Sequence, residues 1–104
     1  MSMIVVLFNL KPGVSVEAYE DWARQNDIPT VNALASVRQF DVLRTTGLMG
    51  SDAAAPVQYV ELLDVSSLEQ LGEDAASETM QRIAAEFQEF ADNPQFILTQ
   101  NIAD

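Results

Sequence analysis

The apolar residues of the chain form four short runs, separated by two longer segments in which apolar and polar residues alternate at helical spacing. The first run, residues 3–10, is rich in β-branched and aromatic residues and ends at a Lys-Pro-Gly sequence, as a buried strand does. Residues 37–44 and 57–65 predict the second and third strands. Residues 96–99 predict the fourth strand.

The two amphipathic segments predict two helices, of which the first is interrupted. Ser15 can cap a helix that begins at the next residue, because its hydroxyl can accept from the free N–H groups of the first turn. Pro29 disfavours helical dihedrals at the residue before it, so a break or kink near residues 26–27 should divide this helix into two pieces. The second helix follows a capping box at Ser67 and is expected to run without interruption to the Asn-Pro sequence at 93–94.

These elements follow one another in the order βαββαβ. That order is typical of a ferredoxin-like α+β domain, in which two helices cover one face of a four-stranded antiparallel sheet. With 104 residues the chain has enough material for one core, so residues 1–104 are expected to form a single domain.

Both faces of the predicted sheet are apolar. In the first strand Ile4, Val6 and Phe8 point to one side, whereas Val5 and Leu7 point to the other. Two helices can cover only one face, and an open apolar face is too large a patch for a soluble monomer. The sequence therefore predicts a homodimer in which two sheets pack face to face as a dimeric α+β barrel.

Composition narrows the range of partners and chemistry. A net charge of −11 with only five cations disfavours nucleic acids and anionic membranes, which are bound through clustered Lys and Arg. The chain has no cysteine and no histidine, so thiol chemistry and the commonest general base and metal ligand are absent. No calcium-loop spacing occurs, and neither a metal nor another cofactor is expected. The first apolar run is too short to span a bilayer, which favours a cytoplasmic location.

Glu61 is a carboxylate between the apolar residues Val60 and Leu62 of a predicted strand. If it faces the barrel cavity, burial would raise its pKa toward the range of a general base. Its partner would then be Arg38 or Arg44 on the neighbouring strand. The alternative is a structural ion pair or an exposed strand end, but we treat Glu61 as a candidate catalytic residue.

Tyr59 and Asp27 are further candidates for the same chemistry. Tyr59 shares a strand face with Glu61, so it could place a hydroxyl beside the carboxylate, or it could simply be a core tyrosine. Asp27 lies just before Pro29 and could act as the base, or it could cap the second piece of the first helix.

Four residues of the first helix and the second strand could bind a substrate. Tyr19 and Trp22 could form the wall of a cleft, or they could only pack the helix on the sheet. Arg38 and Arg44 are expected on one face of the second strand, where an arginine could clamp a carboxylate or polarise a carbonyl oxygen. The alternative role for these arginines is pairing with nearby acidic side chains.

The loop over residues 45–56 is long for a connection within a hairpin. Loops of this length often act as lids or binding loops. Leu48 and Met49 give the loop an apolar tip, so Met49 is a candidate for substrate contact.

Several runs of the sequence resemble the RedY-like, HapK-like family of dimeric α+β barrels, which is associated with prodigiosin-type pigment biosynthesis. The likeness extends over nearly the whole chain. It rests on Ile-Val-Val-Leu-Phe-Asn-Leu-Lys-Pro-Gly at 4–13, Tyr19-Glu-Asp-Trp22, Asp27-Ile-Pro29, Val42-Leu-Arg44-Thr-Thr-Gly47, Gln58-Tyr59-Val60-Glu61 and Phe90-Ala-Asp-Asn-Pro-Gln-Phe96.

This resemblance implies a cytoplasmic homodimer with a small-molecule cleft between the sheet and the first helix of each subunit. In the related EthD-like barrels a histidine often precedes the proline after the first helix, and the corresponding position here is Asp27 or Asn26. Imidazole-dependent chemistry is therefore not expected, although Asn26 stays a candidate for substrate contact.

Two functions are compatible with these features. The first is a cofactor-independent accessory enzyme that tailors a hydrophobic aromatic metabolite by proton transfer or cyclisation. The second is a dimeric protein that binds or chaperones such a metabolite without converting it.

Overall fold

The structure, a computed structural model, describes residues 2–103. Four strands form one antiparallel sheet: β1 (Ser2–Leu10), β2 (Val37–Arg44), β3 (Tyr59–Val65) and β4 (Ala91–Thr99). Their order in the sheet is β2-β3-β1-β4, so the first and third strands are central. The helices are α1 (Val16–Trp22), α2 (Ile28–Asn32), α3 (Leu68–Ala75) and α4 (Glu78–Phe90). This arrangement confirms the predicted ferredoxin-like α+β fold.

The predicted break near residues 26–27 does not occur, but the helix is irregular at this place. A π-helical turn, Ala23–Asp27, joins α1 to α2, and the N–H of Ile28 bonds to the carbonyl of Ala23. Pro29 lacks an N–H group, and its ring clashes with the carbonyl four residues earlier in a regular α-helix. The wider π turn accommodates this proline without ending the helix.

The second helical segment is divided, so the prediction of one uninterrupted helix is also wrong. Ser67 begins α3 as expected, with its hydroxyl accepting from the Gln70 N–H at 3.1 Å. Ser77 then adopts an extended conformation and caps α4 by accepting from the Met80 N–H at 3.2 Å. A second serine cap therefore starts a new helix where the apolar spacing alone gives no sign of a break.

The helices cover one face of the sheet. Strand register places Ile4 opposite Leu63, Val6 opposite Glu61, and Phe8 opposite Tyr59 on this face. The buried core combines apolar residues from the sheet and the helices: Ile4, Val6, Phe8, Leu10, Tyr19, Ala23, Val31, Val37, Phe40, Tyr59, Val65, Ile83, Phe87 and Ala91. Within the described range, no helix is long and apolar enough to cross a membrane.

The opposite face of the sheet, here called the open face, is not covered by any helix of residues 2–103. Val5, Leu7, Val60 and Leu62 lie at its centre and are only half-buried. Leu43 lies beside Val60 on the edge strand and is exposed. The alternation of β1 and β3 thus produces a second apolar surface, as the sequence pattern predicts.

Candidate functional site

A cavity of about 150 Å³ lies between the sheet and the helices. Its wall is formed mainly by apolar side chains: Val6, Val31, Leu34, Phe40, Leu63, Leu71, Met80, Ile83, Ala84, Phe87 and Phe96. Asp27 and Glu61 provide the ionisable groups of this wall. The cavity is therefore an apolar enclosure with two carboxyl groups.

Glu61 reaches the cavity because of its position in β3. It pairs with Val6 on one neighbouring strand and with Val42 on the other, and this register turns its side chain toward the helices. The residue is 5% exposed, and its Oε2 atom has no hydrogen-bond partner within residues 2–103. Burial, together with the nearby Asp27 carboxylate, raises the pKa of Glu61 to about 8.

Asp27 approaches the cavity from the last residue of the π-helical turn. Its backbone is helical and its side chain makes no capping bond to α2, so the interpretation of Asp27 as a helix cap is wrong. The reason is that the helix never ends before Pro29, which leaves no free N–H groups for Asp27 to cap. Burial raises the pKa of Asp27 to about 7.

Tyr19 lies against the same part of the core. Its ring is fully buried and packs edge-on against Phe8 and Tyr59, with centroid separations of 5.6 and 4.9 Å. The hydroxyl of Tyr19 has no hydrogen-bond partner within the described chain, and the proximity of this hydroxyl lowers the pKa of Glu61 without reaching hydrogen-bond geometry. The structure therefore places a phenol next to the buried carboxyl pair.

Tyr59 and Arg44 belong to a different group of side chains, here called the rim cluster: Glu20, Arg24, Arg44 and Tyr59. The Tyr59 hydroxyl donates to Glu20 at 2.8 Å, Arg44 Nε donates to the same oxygen at 2.7 Å, and Arg24 donates to Glu20 at 3.0 Å. These bonds lower the pKa of Glu20, first through the Tyr59 hydroxyl and then through Arg44. Tyr59 shares the Glu61 strand face as predicted, but its hydroxyl is engaged at the rim.

Glu20 is the central residue of the rim cluster, and sequence reasoning did not single it out. Its place in the first turns of a helix explains an acidic residue through the helix dipole alone. The available signal was the four-residue spacing between Glu20 and Arg24, which is typical of a helical ion pair. This spacing does not reveal the second ion pair of Glu20, with Arg44 on β2, because that contact depends on tertiary packing.

Arg38 and Arg44 lie on opposite faces of the sheet, so the prediction that they share one face is wrong. The pairing of β2 with β3 shifts between Val37 and Gln39, and this irregularity changes the side-chain alternation along the strand. Arg38 consequently pairs with Asp64 at 3.9 Å, away from the cavity. Neither arginine contacts Glu61, which contradicts the expected partnership.

The other predicted binding residues are also absent from the cavity wall. Trp22 donates to Glu86 at 2.8 Å and packs on Phe90, which makes it part of the contact between α1 and α4. The Asn26 amide donates to the Trp22 carbonyl at 3.4 Å. Met49 is fully exposed at the loop tip.

The arrangement can bind and move protons. Two buried carboxyl groups with raised pKa values can exchange a proton with a bound molecule near neutral pH. Within residues 2–103, no three acidic side chains converge in a way that could hold a metal ion. The ionisable groups on the cavity wall are therefore two carboxyls that can donate or accept a proton.

The sheet, its one helical layer and the cavity between them define a ferredoxin-like α+β protein. The family model of the REDY-like protein HapK matches residues 2–102, and the chain belongs to this family. No curated protein matches the chain.

Three solved structures illustrate the range of proteins that share the fold. HapK from Hahella chejuensis has a TM-score of 0.81 at 24% identity, over 100% of this chain and 95% of HapK. SnoaB from Streptomyces nogalater, described as a cofactor-independent oxygenase, has a TM-score of 0.72 at 13% identity, over 97% and 92% of the two chains. A protein of unknown function from Bacteroides fragilis, described as dimeric, has a TM-score of 0.67 at 13% identity, over 96% and 95%.

Proposed function

We propose that this protein is a cofactor-independent enzyme that transfers protons within a small hydrophobic metabolite. One observation carries the proposal: two buried carboxyl groups with raised pKa values lie on the wall of an apolar cavity. Buried carboxyls without a cation are costly to ionise, so they are expected where their protons are used. The fold shared with a cofactor-independent oxygenase is compatible with chemistry that needs no bound cofactor.

The two carboxyl groups have different roles in this mechanism. Asp27 loses its proton first, and its negative charge then helps Glu61 to keep the second one. At neutral pH the ionised Asp27 accepts a proton from one atom of the substrate, while protonated Glu61 returns a proton to another. The reaction is an isomerisation or a cyclisation, because protons are exchanged and no electrons are lost or gained.

The size of the cavity limits the substrate group that it can enclose. An apolar protein cavity of about 150 Å³ can hold one benzene molecule, and the cavity here has about the same volume. We infer that one aromatic ring enters, while the rest of the metabolite extends through the opening. The resemblance to proteins of prodigiosin-type biosynthesis makes pyrrole and indole rings the first groups to test.

We further propose that the protein forms a homodimer through the open face. Val5, Leu7, Val60 and Leu62 would be covered by the same residues of a second copy. Light scattering should give about twice the 11.4 kDa mass of one chain at micromolar concentration. Leu62→Glu should produce the monomer, and a monomeric wild-type protein would contradict the proposal.

Turnover of pyrrole- and indole-containing metabolites by the purified protein tests the enzymatic proposal. Glu61→Gln and Asp27→Asn keep the shape of each side chain but remove the proton exchange, so each should lower kcat by about 100-fold or more. Glu89→Gln changes an exposed carboxylate of α4 and should leave kcat within about twofold of the wild type. Full activity in both cavity variants would refute the mechanism.

The second candidate function is binding without conversion. It is supported by the cavity wall as far as the structure describes it, which contains two carboxyls able to accept hydrogen bonds from a ring N–H but no Lys or Arg to polarise a carbonyl. Calorimetric binding of a metabolite that the protein never converts, weakened by Glu61→Gln, would favour this function over catalysis.

A further inference from the structure

The buried Tyr19 on α1 has a place in the carboxyl site that its position in the core does not explain. We propose that Tyr19 is a positioning residue for Glu61: its hydroxyl donates a hydrogen bond to the Glu61 carboxylate once that group loses its proton. The bond would hold the ionised carboxylate in one orientation on the cavity wall. The catalytic part of this inference rests on the proposed function, whereas the hydrogen bond is a property of the free protein.

The ring of Tyr19 is held firmly enough to direct its hydroxyl. It packs against Phe8, Tyr59 and Phe90, with centroid separations of 5.6, 4.9 and 5.6 Å. No part of the residue reaches solvent. The hydroxyl must therefore find its partner inside the protein.

Two complementary atoms lie buried and unpartnered in this region. Within residues 2–103, the Tyr19 hydroxyl and Glu61 Oε2 are the buried side-chain atoms without a hydrogen-bond partner. One is a donor and the other an acceptor, and each is costly to leave unsatisfied. A hydrogen bond between them would satisfy both atoms, and ionisation of Glu61 supplies the driving force because a charged acceptor forms the stronger bond.

Within the described residues, no cationic side chain lines the cavity beside Glu61 to compete with the Tyr19 hydroxyl. Asp27 faces Glu61 from the π-helical turn and repels its ionised form. The cavity residues contributed by α3, α4 and β4 are apolar: Leu71, Met80, Ile83, Ala84, Phe87 and Phe96. Tyr19 is therefore the donor available to the ionised carboxyl.

The electrostatics of the two groups agree with this role. The interaction with Tyr19 lowers the pKa of Glu61, against the larger effects of burial and of Asp27. Burial, followed by the charges of Glu61 and Asp27, raises the pKa of Tyr19, so its hydroxyl keeps its proton. Tyr19 thus stays a donor throughout the range in which Glu61 ionises.

The test is to titrate Glu61 directly by NMR in protein labelled with ¹³C at the glutamate carboxyl carbons, with Glu61→Gln to assign the signal. Tyr19→Phe removes the donor and should raise the midpoint of Glu61 by about one pH unit. Tyr59→Phe removes a hydroxyl from the rim cluster, keeps the adjoining ring, and should leave the midpoint in place. An unchanged midpoint in Tyr19→Phe would overturn the proposal.

A second measurement covers the case in which Tyr19→Phe does not fold. Fluorotyrosine placed at position 19 has a more acidic hydroxyl and donates a stronger bond, so the Glu61 midpoint should fall. A midpoint that does not fall would count against the bond as firmly as an unchanged value in Tyr19→Phe.

These titrations need no substrate, so they separate this inference from the proposed function. If the midpoint moves as expected but no metabolite is converted, the hydrogen bond stands and the enzymatic proposal fails. If conversion depends on Glu61 but the titration midpoint of Glu61 is the same in Tyr19→Phe as in the wild type, only the positioning role fails. If both hold, the Glu61-dependent limb of the pH profile of kcat should move with the midpoint in Tyr19→Phe.

Discussion

Glu61 in the cavity and Glu20 in the rim cluster each lie close to a tyrosine, yet their pKa values move in opposite directions. Within residues 2–103, no cationic side chain pairs with Glu61 or lines its cavity, and burial raises the pKa of Glu61 to about 8. Glu20 accepts bonds from Tyr59 and Arg44, and its pKa is lowered. The comparison shows that burial and hydrogen bonding decide the charge of a glutamate here: burial keeps Glu61 protonated, whereas the Tyr59 hydroxyl, followed by Arg44, stabilises the ionised form of Glu20.

The cavity and the rim cluster are close together along β3. Tyr59 and Glu61 are two residues apart on the same face of β3, but the Tyr59 hydroxyl reaches outward to Glu20 while the Glu61 carboxyl stays under the helices. Arg44 pairs with Tyr59 in strand register and lies at the open end of β2, where 57% of its side chain is exposed. The arginine can remain hydrated at the rim, whereas burial beside Glu61 would remove that hydration.

The largest expected effect concerns the dependence of stability on pH. Because folding raises the pKa of Glu61 from 4.5 to about 8, the folded state keeps a proton that the unfolded state has lost. The free energy of unfolding should therefore fall as pH rises from about 4.5 to about 8, by on the order of 2–4 kcal/mol from this group. Glu61→Gln should remove this part of the decline, as measured by urea unfolding at a series of pH values.

Folding also raises the pKa of Asp27, from 3.8 to about 7, so the free energy of unfolding should fall over this pH range as well. Some pH dependence of stability should therefore remain in Glu61→Gln. The matched control is Glu89→Gln, whose exposed position should leave the wild-type curve unchanged. A Glu61→Gln variant with the full wild-type slope up to pH 8 would show that Glu61 is not buried as a neutral acid.

The smaller expected effect comes from the rim cluster and has the opposite sign. Glu20→Gln removes the charged acceptor of Tyr59 and Arg44 and should lower the free energy of unfolding at pH 7 by about 1 kcal/mol, since screening by water weakens such bonds. The pKa of Glu20 is lowered, so its contribution is present above pH 4.5 and disappears as pH falls through the lowered value.

Denaturant unfolding at pH 7 and at pH 3, each at low and high salt, would measure this effect. The difference between Glu20→Gln and wild type should shrink in acid and in 1 M salt, because the exposed arginine is screened. A difference that grows in acid would contradict the assignment of Glu20 as an ionised acceptor.

Most of the fold could be predicted from the sequence because strands and helices each have a characteristic period of apolar residues. The alternation of Ile4, Val6 and Phe8 with Val5 and Leu7 predicts both the helix-covered face and the open face. The helix details were less accessible. Ser77 looks like any exposed helical residue until its backbone is seen to be extended, and Pro29 ends most helices but is accommodated here by a π turn.

The candidate site was predictable only in part. Glu61 and Asp27 stood out as acidic residues in an apolar strand and before a proline, and the structure brings both to one cavity. The partners predicted for Glu61 were wrong. The irregular strand pairing near Val37 places Arg38 on the other face of the sheet, and Arg44 forms an ion pair with Glu20 instead. Such pairings depend on contacts between residues far apart in the chain, which a single sequence does not record.

By itself the sequence determined the order of elements, the two apolar sheet faces and the shortage of cations that leaves some carboxylates unpaired. Tertiary structure alone decided which carboxylates those are. Register turns Glu61 inward, the π-helical turn brings Asp27 to the same cavity, and the few arginines remain where water can reach them. The physical reason is that the pKa of a carboxyl depends on its burial and its neighbours, and folding sets both.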